Sequence, residues 1–223
     1  MGHREKILSP LGYTITYREQ QKYRGSGVKK LCTAVKDGTT YFAFRVSPPD
    51  GQDHFRRIER IQDSIPHMAR IAGTIEDVVL LEKAHGELLW ELAFPPDPAL
   101  VERQLVEFAL ATKENHLIHG DLRPWNCFFD DRYGIQVIDW WDLSSFVDDL
   151  VGDQPRRRDL IEAGKHYARF HPTLVERGEF TEIDLADAKL IGRLLRGEIE
   201  LGDTCAWRGE YASLGRFRWL SNR

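Results

Sequence analysis

The first third of the chain alternates apolar and polar positions in short runs that predict β-strands. Such alternation places one face of a strand in a core and the other toward solvent. Two of the runs flank Asp37-Gly38, a pair typical of a tight hairpin turn. A helix is predicted at about residues 52–64, where apolar residues recur at intervals of three and four. The predicted strands are residues 13–17, 31–35, 41–46, 71–75 and 78–81, and the helical stripe is Phe55, Ile58, Ile61 and Ile65.

The remaining two thirds are predicted to be mainly helical, with one short hairpin. Asp97-Pro98 is a good helix start, because Asp caps free backbone N–H groups and Pro fits the first turn. That helix ends near residues 114–115, with an apolar face formed by Val101, Leu105, Phe108 and Thr112. The hairpin strands are residues 127–129 and 135–138, joined by a turn at 130–134; further helices are expected at about residues 156–170 and 182–196, with Thr181 and Asp184 in a capping-box-like start of the last. The pattern predicts an α+β protein.

Polar residues around the hairpin form the most informative set in the sequence. Asp121 precedes the first hairpin strand, and Asn126 lies five positions after Asp121. Asp139 ends the second strand. Because the hairpin doubles back, Asp139 is expected to lie beside Asn126. Amide and carboxylate oxygens are the ligands that Mg²⁺ prefers. Phosphoryl transfer requires such metal ligands together with a carboxylate that receives or orients the attacking hydroxyl.

The run His-Gly-Asp-Leu-Arg-Pro-Trp-Asn at residues 119–126 resembles the H-R-D-L-K-P-x-N catalytic loop of protein kinases, and Asp139-Trp140-Trp141 resembles their D-F-G motif. In motif style the chain is closest to the bacterial aminoglycoside- and choline-kinase-like branch and to kinases that act on surface glycans. The resemblance implies a two-lobed protein-kinase-like fold. Residues 1–83 would form a small N-lobe with an antiparallel sheet, and residues 84–223 a reduced, mainly helical C-lobe.

The same resemblance implies a role for each residue of the loop. Asp121 would be the catalytic base, and Asn126 and Asp139 would bind Mg²⁺ beside ATP. His119 would brace the loop. Arg123 would take the phosphate-contacting place of the usual Lys. Asp148-Asp149-Leu150 resembles the Asp-Leu pair that follows the metal-binding Asp in the aminoglycoside-kinase branch, where the Asp anchors the catalytic-loop backbone.

The N-terminal part is expected to bind the nucleotide. Gly25 and Gly27 lie between the first two predicted strands, as in a kinase phosphate-binding loop, and would let backbone amides approach phosphate oxygens. Arg45 stands where the V-A-I-K motif has Lys. An alignment that places Lys36 at the Lys of this motif would leave too short a second strand. Lys29 or Lys30 remains an alternative phosphate contact.

Two acidic residues complete the expected nucleotide site. Glu59, on the predicted helix, would pair with Arg45, as the Glu of the N-lobe helix αC pairs with the Lys in kinases. The alternative for Glu59 is an exposed helical position near Arg56 or Arg60. Glu82, with the two residues after it, would form the hinge whose backbone contacts adenine.

The short segment after Asp139 favours a small-molecule or glycan kinase, because no Ala-Pro-Glu motif or long peptide-docking segment is present. The substrate is therefore expected to be an unidentified hydroxyl-bearing molecule. Three alternatives remain open: a pseudokinase that binds nucleotide or acts as a scaffold, a minimal protein kinase, and an effector that transfers AMP.

Charge and composition limit the classes of partner. Residues 1–45 carry nine Lys and Arg against three Asp and Glu, whereas the whole chain has a net charge of −4. A basic N-terminal part suits a polyphosphate ligand. Nucleic acid is not expected, since no basic face accompanies a known binding motif. Three scattered cysteines and the lack of a long apolar run predict a cytoplasmic protein without a membrane span, although a secreted effector without a Sec signal has the same pattern.

Overall fold

The computed structural model describes residues 2–21, 28–46, 50–115, 117–140 and 182–199. The expected α+β class is confirmed. Contacts divide the chain into two compact units, one formed by Met1–Asp63 and Ala69–Ala84 and the other by Ser64–Met68 and His85–Arg223. Three expected features lie outside the described residues: the helix at 156–170, the start of the last helix at Thr181 and the anchoring Asp of Asp148-Asp149-Leu150.

The first unit is built on a five-stranded antiparallel sheet in the order β1-β2-β3-β5-β4. The turn between β2 and β3 is the expected one, because Asp37 and Gly38 have φ of 51° and 78° and a two-residue hairpin of this type needs positive φ at both positions. All five strands fall where the alternation predicts them. Their bounds are Thr14–Gln21 (β1), Val28–Lys36 (β2), Thr39–Arg45 (β3), Ile71–Ile75 (β4) and Val78–Glu82 (β5).

Each face of this sheet contacts a different helix. A short helix that the pattern did not predict, α1 (His3–Leu8), buries Leu8 in a cluster with Cys32, Ala34, Ala43, Val78 and Leu80. On the opposite face Phe44 packs edge-on against Phe55 of α2 (Asp50–Ile61), with ring centroids 5.1 Å apart. Adjacent strand residues point to opposite faces, so Ala43 and Phe44 identify the α1 face and the α2 face of β3.

In the described part of the second unit, a three-stranded sheet accompanies two helices that pack against each other. Its long helix, α3 (Pro98–Glu114), begins at the predicted cap, where the Asp97 carboxylate accepts a 3.0 Å hydrogen bond from Ala99 N. All four predicted apolar positions of α3 are buried. The sheet consists of β6 (Glu87–Leu88), β7 (Cys127–Asp130) and β8 (Gly134–Val137), and the second helix is α4 (Ile183–Leu195).

Residues 64–68 belong to the second unit although they follow α2 in sequence. Val137 N donates a 2.7 Å hydrogen bond to His67 O, and Met68 forms a parallel bridge with Val137. The His67 ring contacts Glu107 of α3 at 2.8 Å. A single bridge therefore joins this segment to β8.

In the part of the chain that the structure describes, no helix combines the length and apolar character needed to cross a membrane.

Candidate functional site

A loop at residues 117–126 connects the end of α3 to β7, and a buried carboxylate from α4 holds its backbone. Asp184 accepts hydrogen bonds from His119 N at 2.6 Å and Gly120 N at 2.9 Å. Gly120 has φ of 74°, a conformation that glycine adopts without steric cost. Burial raises the pKa of Asp184, while the neighbouring His119 ring and the two N–H donors oppose that rise. The 117–126 loop is thus fixed at its tightest turn.

His119 is fully buried, and its two ring nitrogens have different partners. Nδ1 accepts a 3.2 Å hydrogen bond from Asp121 N, so Nε2 carries the proton and donates to Ile138 O at 2.9 Å. Burial lowers the pKa of His119, which favours this neutral form. The ring joins the 117–126 loop to Ile138, the residue that follows β8.

Asp121 and Asn126 are brought together within the loop. Asn126 Nδ2 donates to Asp121 O and to Asp121 Oδ2, both at 2.8 Å. Because both partners are acceptors, the orientation of the amide is determined. Asn126 Oδ1 accepts no hydrogen bond from any described residue, so it is the oxygen that can contact a cation.

Asp139 reaches the neighbourhood of Asn126 through the hairpin. Cys127 pairs with Val137 in the β7–β8 register, and Ile138 N donates to Asn126 O at 2.9 Å. Asp139 is the next residue, is exposed and has φ of 64°, a left-handed conformation uncommon for residues other than Gly, Asn and Asp. Its carboxylate has no hydrogen bond to the described residues.

Arg123 contacts the carboxylate of Asp121. Its Nε contacts Asp121 Oδ1 at 2.6 Å, and its side chain is only 5 % exposed, whereas that of Asp121 is 26 % exposed. The guanidinium carbon is 5.7 Å from the ring centroid of Trp125. Arg123 therefore contacts the carboxylate rather than presenting an open cation to a phosphate.

Three aromatic rings pack against one another at the 117–126 loop. Phe108 of α3, His119 and Trp140 pack with ring centroids 5.2–5.7 Å apart. Trp140 is buried, and it occupies the place of the Phe in the D-F-G motif that Asp139-Trp140-Trp141 resembles. The cluster connects α3 to the residue that follows Asp139.

Arg45 does not pair with Glu59, and that prediction was wrong. Phe44 faces α2, so Arg45, the next residue of β3, lies on the α1 face of the sheet. There Arg45 Nε donates to Asp77 Oδ2 at 2.5 Å, while His3 Nε2 contacts Asp77 Oδ1 at 2.7 Å. Burial of Asp77 acts to raise its pKa, but the hydrogen bonds from Arg45 and His3 outweigh burial and lower it.

The other expected nucleotide contacts are only partly described. Gly25 and Gly27 lie outside the described residues. Lys29 is in β2, with its backbone paired to Gln20 of β1. Glu82 ends β5, is exposed, and its backbone N–H donates to Arg70 O at 2.8 Å.

Sequence reasoning missed two residues of these networks, Asp77 and Asp184. Asp184 follows the expected start of the last helix, where a helix cap was its simplest explanation, but α4 begins at Ile183 and the side chain binds the 117–126 loop instead. Neither residue has a local sequence signal for its contact.

Within the described residues, no group of three or more His, Cys, Asp and Glu is placed to hold a metal ion. Asn126 and Asp139 form a smaller set, which suits Mg²⁺ because this ion keeps several waters and completes its shell with substrate phosphates. The chain matches no family model and no curated protein.

Proposed function

We propose that this chain is an ATP- and Mg²⁺-dependent phosphotransferase that moves the γ-phosphate of ATP to a hydroxyl group. The observation that carries the proposal is the set of three oxygen-bearing side chains at one end of the β7–β8 hairpin. Asp121 accepts both hydrogen bonds of Asn126 Nδ2, which leaves Asn126 Oδ1 available to a cation. The backbone of Asn126 is hydrogen-bonded to Ile138, the residue before Asp139. The chemistry requires one carboxylate for the hydroxyl and two oxygen ligands for metal.

Each residue then has a distinct task. Asp121 receives the proton of the acceptor hydroxyl while the hydroxyl oxygen bonds to the γ-phosphorus and ADP leaves. Its carboxylate is partly exposed, as a base that meets an external substrate must be. His119 and Asp184 hold the backbone on either side of Gly120 and so fix the position of the base.

The Mg²⁺ ion, when bound with ATP, supplies positive charge that offsets the charge of the phosphate oxygens. Asn126 Oδ1 and the Asp139 carboxylate would hold it. Both atoms are hard oxygen donors without a hydrogen bond to the described residues. These two oxygen donors are therefore chemically suited to Mg²⁺.

The finer fold assignment, a two-lobed protein-kinase-like arrangement, is part of the same proposal. It is supported by a five-stranded antiparallel sheet with one helix after its third strand, followed by a mainly helical unit that carries the 117–126 loop. The glycine-containing segment at Gly25 and Gly27 falls between β1 and β2, where a phosphate-binding loop belongs. For the acceptor we propose a small molecule or glycan.

Measurement of ATP turnover with a panel of hydroxyl-bearing acceptors tests the function. Asp121→Asn is expected to lower kcat by about 10²–10⁴-fold, the usual contribution of a general base. Asp139→Asn is expected to weaken Mg·ATP binding, measured by calorimetry. Asp131→Asn, in the exposed turn between β7 and β8, is the matched control and should retain both properties. Full turnover by Asp121→Asn, with circular dichroism like that of the wild type, would refute the proposal.

The pairing of Arg45 with Asp77 favours one rival, a pseudokinase that binds nucleotide without chemistry. In this structure Arg45 is engaged by Asp77 on the α1 face and does not form the pair expected of a phosphate-gripping cation. Calorimetric binding of Mg·ATP without turnover on any acceptor would support this rival. Intact-mass analysis of modified acceptors distinguishes transfer of phosphate from transfer of AMP by the mass added.

A further inference from the structure

The buried position of Arg123 is difficult to reconcile with a contact to phosphate. A cation that grips a phosphate needs exposed donors, yet the Arg123 side chain is 5 % exposed. Leu122 and Pro124 on either side of it are buried as well. The guanidinium therefore offers little surface to a phosphate.

Asp121 is one partner of the buried guanidinium. Removing a cation from water is costly, and the cost is offset when a carboxylate lies in ion-pair contact with it. Arg123 Nε lies 2.6 Å from Asp121 Oδ1, and Asn126 Nδ2 lies 2.8 Å from Asp121 Oδ2. The ion-pair contact at one oxygen and the hydrogen bond at the other hold the carboxylate at two points.

The charge of Arg123 also acts on the residue that braces the loop. Burial is the main cause that lowers the pKa of His119, and the positive charge of Arg123 acts in the same direction. The neutral ring is the form that accepts from Asp121 N. Arg123 therefore contacts Asp121 directly, and its charge favours the neutral ring of His119.

We propose that Arg123 is a positioning residue for the base and does not bind the phosphate. This inference rests on the proposed phosphotransferase function and refines it. The acceptor proton still passes to Asp121, and Arg123 holds the carboxylate so that one fixed lone pair faces the hydroxyl. Misplacement of a catalytic group by about 1 Å can cost roughly 10²-fold in rate.

Arg123→Gln and Arg123→Lys, compared with Arg132→Gln, test the role. Arg132 is the matched control because it too lies over the aromatic ring of a nearby residue, 5.2 Å from the Tyr133 centroid, but on an exposed turn. For Arg123→Gln we expect kcat to fall by about 10–100-fold, with the Kd of Mg·ATP within about threefold of wild type. Arg123→Lys should recover part of kcat because it keeps the charge. A tenfold or larger rise in the Kd of Mg·ATP with kcat preserved would overturn the proposal.

A double-mutant cycle separates this inference from the proposed function. In the Asp121→Asn background, Arg123→Gln should cause little further loss of kcat, because the two residues act as a unit. If the wild type turns over no acceptor, the function fails but the pair is still measurable. Urea unfolding of the single and double variants should then give a non-zero coupling free energy between Asp121 and Arg123. Additive effects on unfolding would overturn the inference. If Arg123→Gln does not fold, Arg123→Lys takes its place in the cycle.

Discussion

Removal of the Asp184 carboxylate should destabilise the protein by an amount that the structure allows us to calculate. Asp184 is 3 % exposed and accepts the backbone N–H groups of His119 and Gly120, which are themselves buried. Asp184→Ala leaves both donors without a partner and without access to water. Each unsatisfied buried group costs about 1–3 kcal/mol, so the free energy of unfolding should fall by about 2–6 kcal/mol. Asp184→Asn keeps one acceptor and should lose about half as much.

Urea unfolding at pH 7 measures this loss, with Asp131→Ala as a control that removes an exposed carboxylate from the same unit. The control should change the free energy by less than about 0.5 kcal/mol. Amide hydrogen exchange at His119 and Gly120 should accelerate in Asp184→Ala. If Asp184→Ala has the same urea midpoint as the control and unchanged exchange at these amides, the anchoring role is wrong.

Three further predictions concern pH and local geometry. Burial, helped by a neighbouring Arg, holds the pKa of His54 at about 3 against 6.5, so the unfolded state binds more protons below pH 6.5. His54 should therefore contribute a loss of about 2 kcal/mol of stability between pH 7 and 5. His54→Phe should remove that contribution in urea titrations, and an unchanged pH dependence would contradict it. Gly86→Ala should lower the free energy of unfolding by about 3 kcal/mol or more, since Gly86 has φ of 79° and the new Cβ would overlap Phe129 O. Gly38 has a similar φ of 78° but open space around it, so Gly38→Ala should cost only about 1 kcal/mol in the same assay. Asp97→Ala should lower the melting temperature through loss of about 1 kcal/mol of helix capping, and an unchanged melting temperature would contradict that assignment.

The local elements of this protein could be predicted from its sequence because their causes are local. Asp37-Gly38 requires positive φ at adjacent residues, and Asp97-Pro98 caps the helix that directly follows. The hairpin around Gly134 brings Asp139 back toward Asn126 by strand pairing over a few residues. The fold class and the neighbourhood of the three oxygen-bearing side chains follow from such signals.

Partners of charged groups, in contrast, were decided only by tertiary structure. Arg45 finds Asp77 at a separation of 32 residues, and His119 finds Asp184 at a separation of 65. The face on which Arg45 lies depends on which helix covers each side of the sheet, and a single strand contains no information about that. A buried ionic group takes whichever partner the packed core brings within hydrogen-bonding distance, because leaving it unpaired costs more than a local sequence preference can supply.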